Sequence, residues 1–139
     1  MRYVDRDSIE LIGPGIAPMT SALVLFAHGS RDPEWAAPFR TVQQRVAAKN
    51  SELAVELAFL EFMHPSLPET LDRLAAEGRA RITVAPLFMA QGAHLKRDLA
   101  MLLADARERH PAIDIALLPA VGESDAVIEA ITAWLCANS

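Results

Sequence analysis

One cysteine, Cys136, stands in the whole chain, three residues from its end. A single thiol excludes any intramolecular disulfide and any metal cage built from cysteine alone. In an apolar terminal segment it is expected to pack rather than react. No apolar run approaches the roughly 20 residues needed to span a bilayer. The opening stretch MRYVDRDSIELIGPGIAP is broken by charge, and no basic region leads into an apolar one, so it does not read as a signal peptide. The expected compartment is therefore the cytosol, with no membrane partner. A dense basic run is also missing. With 13 Lys and Arg against 18 Asp and Glu the formal net charge is −5, which argues against nucleic acid as a partner. No GxxxxGK[ST] loop occurs, so no nucleotide requirement is indicated, and no serine nucleophile elbow is present.

What the chain does have is apolar material: 139 residues, 52% of them hydrophobic, enough for one domain with a core that needs no disulfides. Residues 1–20 differ from the rest. Gly13, Pro14, Gly15 and Pro18 fall there without sustained periodicity, so the segment reads as an irregular tail, with Met19 as a candidate natural start. The domain is expected over 21–139. It opens with ALVLFA (Ala22 to Ala27), a continuous apolar run suited to a strand buried on both faces.

Thereafter helical and strand patterns alternate. A helix is expected over Glu34 to Lys49 behind Pro33, a strand over Leu53 to Phe62, and a helix over Pro68 to Glu77 closed by Gly78. A strand over Arg81 to Leu87 and a helix over Lys96 to Arg109 follow, stopped by His110 and Pro111. A last strand (Ile113 to Leu118) precedes a helix over Ser124 to Ala137, with Ser124 as cap and Val127, Ile128, Ile131, Trp134 and Leu135 as its apolar stripe. Four strands each followed by a helix predict an α/β fold, a four-stranded parallel sheet flanked by helices. In such sheets ligands bind beyond the carboxyl ends of the strands.

Three polar residues fall at those ends. His28 follows the first strand, Glu61 ends the second, and His94 lies in the loop after the third. Glu61 is 33 residues beyond His28, and His94 is 33 beyond Glu61. One βα unit takes about thirty residues, so the three occupy matching places in successive units and should converge on one rim. Two imidazoles and a carboxylate suit a divalent transition metal and leave coordination positions open. They equally suit proton transfer. Each has a plainer reading: His28 bonded to backbone, Glu61 paired with a cation, His94 solvated in its loop. Spacing alone stops at a candidate metal or acid–base site. His64, three residues past Glu61, reads first as a turn residue before Pro65 and second as a further residue of the same rim, and His110 as a favourable charge at a helix C-terminus. Phe88 and Met89 suit an apolar wall for a flat ligand or the core.

The segments LVLFAHGSRDPEW, FLEFMHPSLPE and PLFMAQGAHLKRD, in this order and spacing, resemble the small CbiX/SirB family of sirohydrochlorin chelatases, which are class II and ATP-independent. HGS alone is a weak signal; the three together are specific, and the likeness runs from about Ser21 to near the C-terminus. It implies a chelatase-like domain that inserts Co²⁺ into a sirohydrochlorin-type tetrapyrrole for cobalamin biosynthesis, with Fe²⁺ (towards sirohaem) or Ni²⁺ as alternatives. The metal is then a substrate, and no cofactor is permanently bound. Carried over by position, His28 and His94 become the metal-binding and proton-accepting pair, assisted by Glu61. Phe88, Met89, Ala90, Gln91, Gly92 and Ala93 would lie against the macrocycle, and Arg31, Lys96 and Arg97 would clamp its carboxylates. The resemblance also implies a homodimer. His64 and the Gln91-Gly92-Ala93 stretch depart from the common pattern. Two other readings remain: a cobalt or nickel carrier using the same donors, and a hydrolase built around the HGS histidine.

Overall fold

ALVLFA and the preceding Ser21 form β1 (Ser21–Ala27), an interior strand of a parallel sheet. The structure, a computed structural model, describes residues 20–139. The tail expected over residues 1–20 therefore lies, up to residue 19, outside the described residues, as does Met19. The other strands are β2 (Ala54–Phe59), β3 (Arg81–Pro86) and β4 (Asp114–Leu117), in the order β2-β1-β3-β4. Val24 of β1 pairs with Glu56 on one side and Val84 on the other. The helices are α1 (Ala37–Lys49), α2 (Leu67–Ala76), α3 (Ala93–Arg109) and α4 (Asp125–Ala137). The expected parallel α/β architecture is what the chain adopts.

Alternation along β1 sends its side chains to two cores. Val24 and Phe26 join Ile82, Val84, Ile115 and Leu117 beneath Leu67, Leu71 and Leu74 of α2 and Leu99 and Leu103 of α3. Leu25 and Ala27 join Leu57 and Phe59 on the opposite face, where Ala36, Trp35 and Phe39 cover them. α2 shows why its sequence folds locally. Ser66 caps it by accepting from the Glu69 amide at 3.2 Å, Pro68 sits in the first turn, and Leu71 and Leu74 share the buried face.

Three differences in element boundaries bear on the site. The helix expected from Glu34 is a 3₁₀ turn (Pro33–Ala36) followed by α1, because Pro38 has no amide to continue one helical ladder through Glu34. β2 ends at Phe59 rather than Phe62. α3 begins at Ala93, three residues before Lys96, so His94 lies in a helical first turn and not in a loop. Ser124 does occupy the cap position of α4, but its side chain makes no capping bond. The stripe expected on α4 is present yet uncovered: none of its residues is buried, and Ile128, Ile131, Trp134 and Leu135 are exposed. Cys136, expected to pack, is exposed on the same helix.

Candidate functional site

Backbone pairing carries the sheet past its formal strand ends and assembles the rim. Leu60 donates to the Ala27 carbonyl at 2.9 Å, and Glu61 donates to the His28 carbonyl at 3.1 Å. Gly29 makes this approach possible. Its φ is +94°, and a Cβ there would stand 1.9 Å from the Glu61 carbonyl oxygen. The glycine of the HGS segment is thus a spatial requirement for bringing Glu61 beside His28.

The result is a contact between side chains 33 residues apart: Nε2 of His28 lies 3.0 Å from Oε1 of Glu61. Both remain open to solvent, at 52% and 47% of their side-chain surface. A carboxylate only accepts, so in the neutral imidazole this contact places the proton on Nε2 and the lone pair on Nδ1. Phe88 meets the His28 ring edge-on, centroids 6.2 Å apart, and meets Phe26 edge-on at 5.6 Å. Of its two sequence readings, the core wins, since its ring is 8% exposed. It supports His28 from within.

Met89 has the opposite fate and stands exposed on the rim. Ala90, Gly92, Ala93 and His94 are also exposed, with Gln91 half-buried. The loop from Phe88 is held by Gly122, whose amide donates to the Phe88 carbonyl at 3.0 Å. A Cβ on Gly122 would fall 1.7 Å from the Met89 carbonyl oxygen. Between this loop and the segment after β4 lies a cleft of about 290 Å³, floored by Leu99, Leu117 and Pro119. At its edge Lys96 Nζ pairs with Glu123 Oε1 at 3.6 Å.

The three-residue convergence expected from spacing is met in part. His28 and Glu61 touch. Among the described residues no three His, Cys, Asp or Glu side chains are gathered as a metal-holding group, so His94 does not complete a cluster with them here. Arg31 lies over the ring of Phe62, 4.8 Å from its centroid. Arg97 is exposed in the first turns of α3. His64 points to Glu69, 3.7 Å away, rather than to the rim. His110 has a partner the sequence did not suggest: its Nε2 is 2.8 Å from Asp72 Oδ1. Phe62, Glu123 and Gly122 were missed by sequence reasoning. Only Gly122, in the VGES stretch, carried a visible signal.

Comparison with known proteins gives the family and the fold. The family model CbiX matches residues 22–136. The sirohydrochlorin cobaltochelatase of Methanococcus aeolicus is 39% identical over 82 residues, which cover 59% of this chain and 57% of that protein. The chain thus matches less than two thirds of the length of such curated relatives. Among solved structures, a cobalamin (vitamin B12) biosynthesis CbiX protein from Marinobacter aquaeolei superposes with a TM-score of 0.73 at 27% identity, covering 85% of this chain and 96% of that one. The sirohydrochlorin chelatase SirB from Bacillus subtilis, in complex with cobalt, gives a TM-score of 0.69 at 27% identity, over 81% of this chain and 48% of that one. With most of its length matched, from β1 through α4, the chain belongs to the CbiX family.

Proposed function

We propose that this chain inserts a divalent metal, cobalt in the first instance, into sirohydrochlorin or a close tetrapyrrole relative without ATP. The observation that carries the reading is the exposed His28–Glu61 pair at the carboxyl rim of a parallel sheet. The M. aeolicus relative is named for this reaction, and the rim is where such a fold binds ligands.

Metal insertion removes two protons from pyrrole nitrogens and moves the ion from water or protein donors to four ring nitrogens. His28 offers the Nδ1 lone pair to a pyrrole proton or to the incoming ion, while Glu61 holds the ring through Nε2. An imidazolium formed at His28 is stabilised by the adjacent carboxylate. His94, on the first turn of α3, serves as the second imidazole once the macrocycle lies across the rim, taking the second proton or holding the ion on its way in. The gain comes mainly from positioning reactants that meet unproductively in solution. Met89 and the loop to Ala93 give the macrocycle an apolar support. Arg31 and Arg97 take its peripheral carboxylates, and Lys96 does so by exchanging Glu123 for substrate. We place the reaction in the cytoplasm and assign the working unit to a homodimer. Among the described residues no helix is long and apolar enough to cross a membrane.

The test is an anaerobic absorbance time course with sirohydrochlorin and Co²⁺. Wild type is expected to outpace the uncatalysed reaction, with no response to ATP. His28→Ala and His94→Ala should each lose about 10²- to 10⁴-fold in kcat/KM, the range for removing a positioned proton acceptor. Repetition with Fe²⁺ and Ni²⁺ ranks the metals. A wild-type rate equal to the uncatalysed one sinks the reading, and Co²⁺ binding without turnover would identify a carrier instead.

A further inference from the structure

Phe62 is the one non-glycine residue with positive φ among the described residues, at +66°. The Met63 amide donates to the Glu61 carbonyl at 2.8 Å, closing a three-residue turn around it. Positive φ with that hydrogen bond defines the rarer, strained form of the γ-turn. A bulky side chain in this conformation is sparsely populated and persists only where its surroundings impose it. Packing does not repay the strain here. The turn delivers Met63 to the core on the face covered by Trp35 and Phe39, whereas the Phe62 ring stays 54% exposed. Glycine would make the same turn without strain. The aromatic side chain is therefore unexplained by folding.

Its location supplies a reason. Phe62 follows Glu61 directly, so it stands on the β2 side of His28, while Met89, 57% exposed, stands on the β3 side. These two exposed apolar side chains thus follow the strands on either side of β1, two inter-strand steps, or roughly 10 Å, apart in the sheet order. Arg31 sits over the Phe62 ring, 4.8 Å from its centroid, and is itself exposed. A guanidinium on one face of an aromatic ring, with much of the ring still open, suits a flat conjugated ligand that bears carboxylates.

We propose that Phe62 is a stacking platform for the macrocycle, positioning one pyrrole edge over His28, and that Arg31 both orients the ring of Phe62 and binds a peripheral carboxylate. The assignment rests on the chelatase reading and adds a binding residue to it. Strain is retained at Phe62 because the outward aromatic is used by the substrate.

The experiment measures binding of metal-free sirohydrochlorin by its own fluorescence anisotropy, beside cobalt insertion kinetics and thermal melting, for the full chain. Variants are Phe62→Gly and Phe62→Trp. For Phe62→Gly we expect a Kd and KM raised about tenfold, the order of one lost aromatic stack. Its melting temperature should be unchanged or raised. Phe62→Trp should keep Kd within about threefold, since it restores a π-face. Unchanged Kd in Phe62→Gly, in a preparation whose wild type binds and metallates sirohydrochlorin, overturns the platform and leaves the chelatase reading standing. Weakened binding accompanied by a lowered melting temperature also overturns it, by making Phe62 a packing residue. A wild type that neither binds nor metallates the tetrapyrrole overturns both.

Discussion

Gly29 sets the site because a side chain there has nowhere to go. Its φ of +94° disfavours any L-residue, and its would-be Cβ lies 1.9 Å from backbone that cannot swing aside. Gly29→Ala must therefore push the Glu61 carbonyl outward, breaking the bond from the Glu61 amide to the His28 carbonyl and parting the two side chains. We expect a loss of about 2–4 kcal/mol in unfolding free energy, read by urea titration, and cobalt insertion reduced beyond what that destabilisation explains. A Gly29→Ala protein with wild-type stability and rate would contradict the close approach. At this scale the sequence spoke unevenly. His28 and Glu61 were legible because strand ends and a repeated spacing flag them, whereas the structural need for Gly29 became visible only in the fold. Phe62 was not, since an aromatic continuing LAVELAFLE looks like more strand, and positive φ at a non-glycine residue leaves no compositional mark. His94 was found as a candidate but assigned to a loop, because the Gly92 cap of α3 lacks the Ser, Thr, Asp or Asn that announces a helix start.

Helices α2 and α3 pack over the same core and are joined, from the middle of α2 to the C-terminal end of α3, by a polar cluster. Asp72 of α2 accepts from Nε2 of His110 at 2.8 Å and also from Arg109 Nη1, while Arg109 reaches Asp105 at 2.9 Å. The hydrogen bond from His110, more than the neighbouring Arg109, holds the Asp72 carboxyl below its ordinary value near 3.8. A carboxyl more acidic in the folded state binds its proton first in the unfolded state. Its stabilising contribution is thus complete above the ordinary aspartate value and disappears as pH falls through the lowered folded value. The carboxyl is half exposed, so screening limits the effect to under about 1 kcal/mol. Asp72→Asn should lower stability by that amount at pH 7, and the gap from wild type should close as unfolding is repeated below about pH 4. A gap that survives into strong acid would mean the cluster acts through packing. Beneath it, Leu74 is fully buried in the same core. Leu74→Ala should cost about 2–5 kcal/mol, with its effect on cobalt insertion confined to the folded fraction, because the residue lies far from the rim. These elements were legible from apolar period alone. The partners of their polar ends were not, since Asp72 and His110 are 38 residues apart and no periodicity connects them.

For the molecule as a whole, α4 is where the sequence pattern and the single chain part company. The stripe read from periodicity is real, yet Trp134 is 66% exposed and Leu135 53%. A helix with one apolar face is held in place by what covers that face, and a continuous exposed stripe of this kind marks an interaction surface. We propose a second copy of the chain, the partner the family resemblance implies, with a two-fold pairing that would set the same stripe against itself. Light scattering after gel filtration should then give twice the 15.1 kDa chain mass. Trp134→Glu should halve it, since a charge at the centre of an apolar interface loses its hydration without gaining a partner. Within one chain Trp134 contributes little burial, so the variant should keep its helical circular dichroism and its core. Cobalt insertion by that folded monomer then tells which unit is catalytic. Activity lost with dimerisation means the rim is completed by the partner, and activity retained means each rim works alone. A wild type that elutes as a monomer with α4 protected from proteolysis would place the stripe's cover within the chain itself and overturn the dimer.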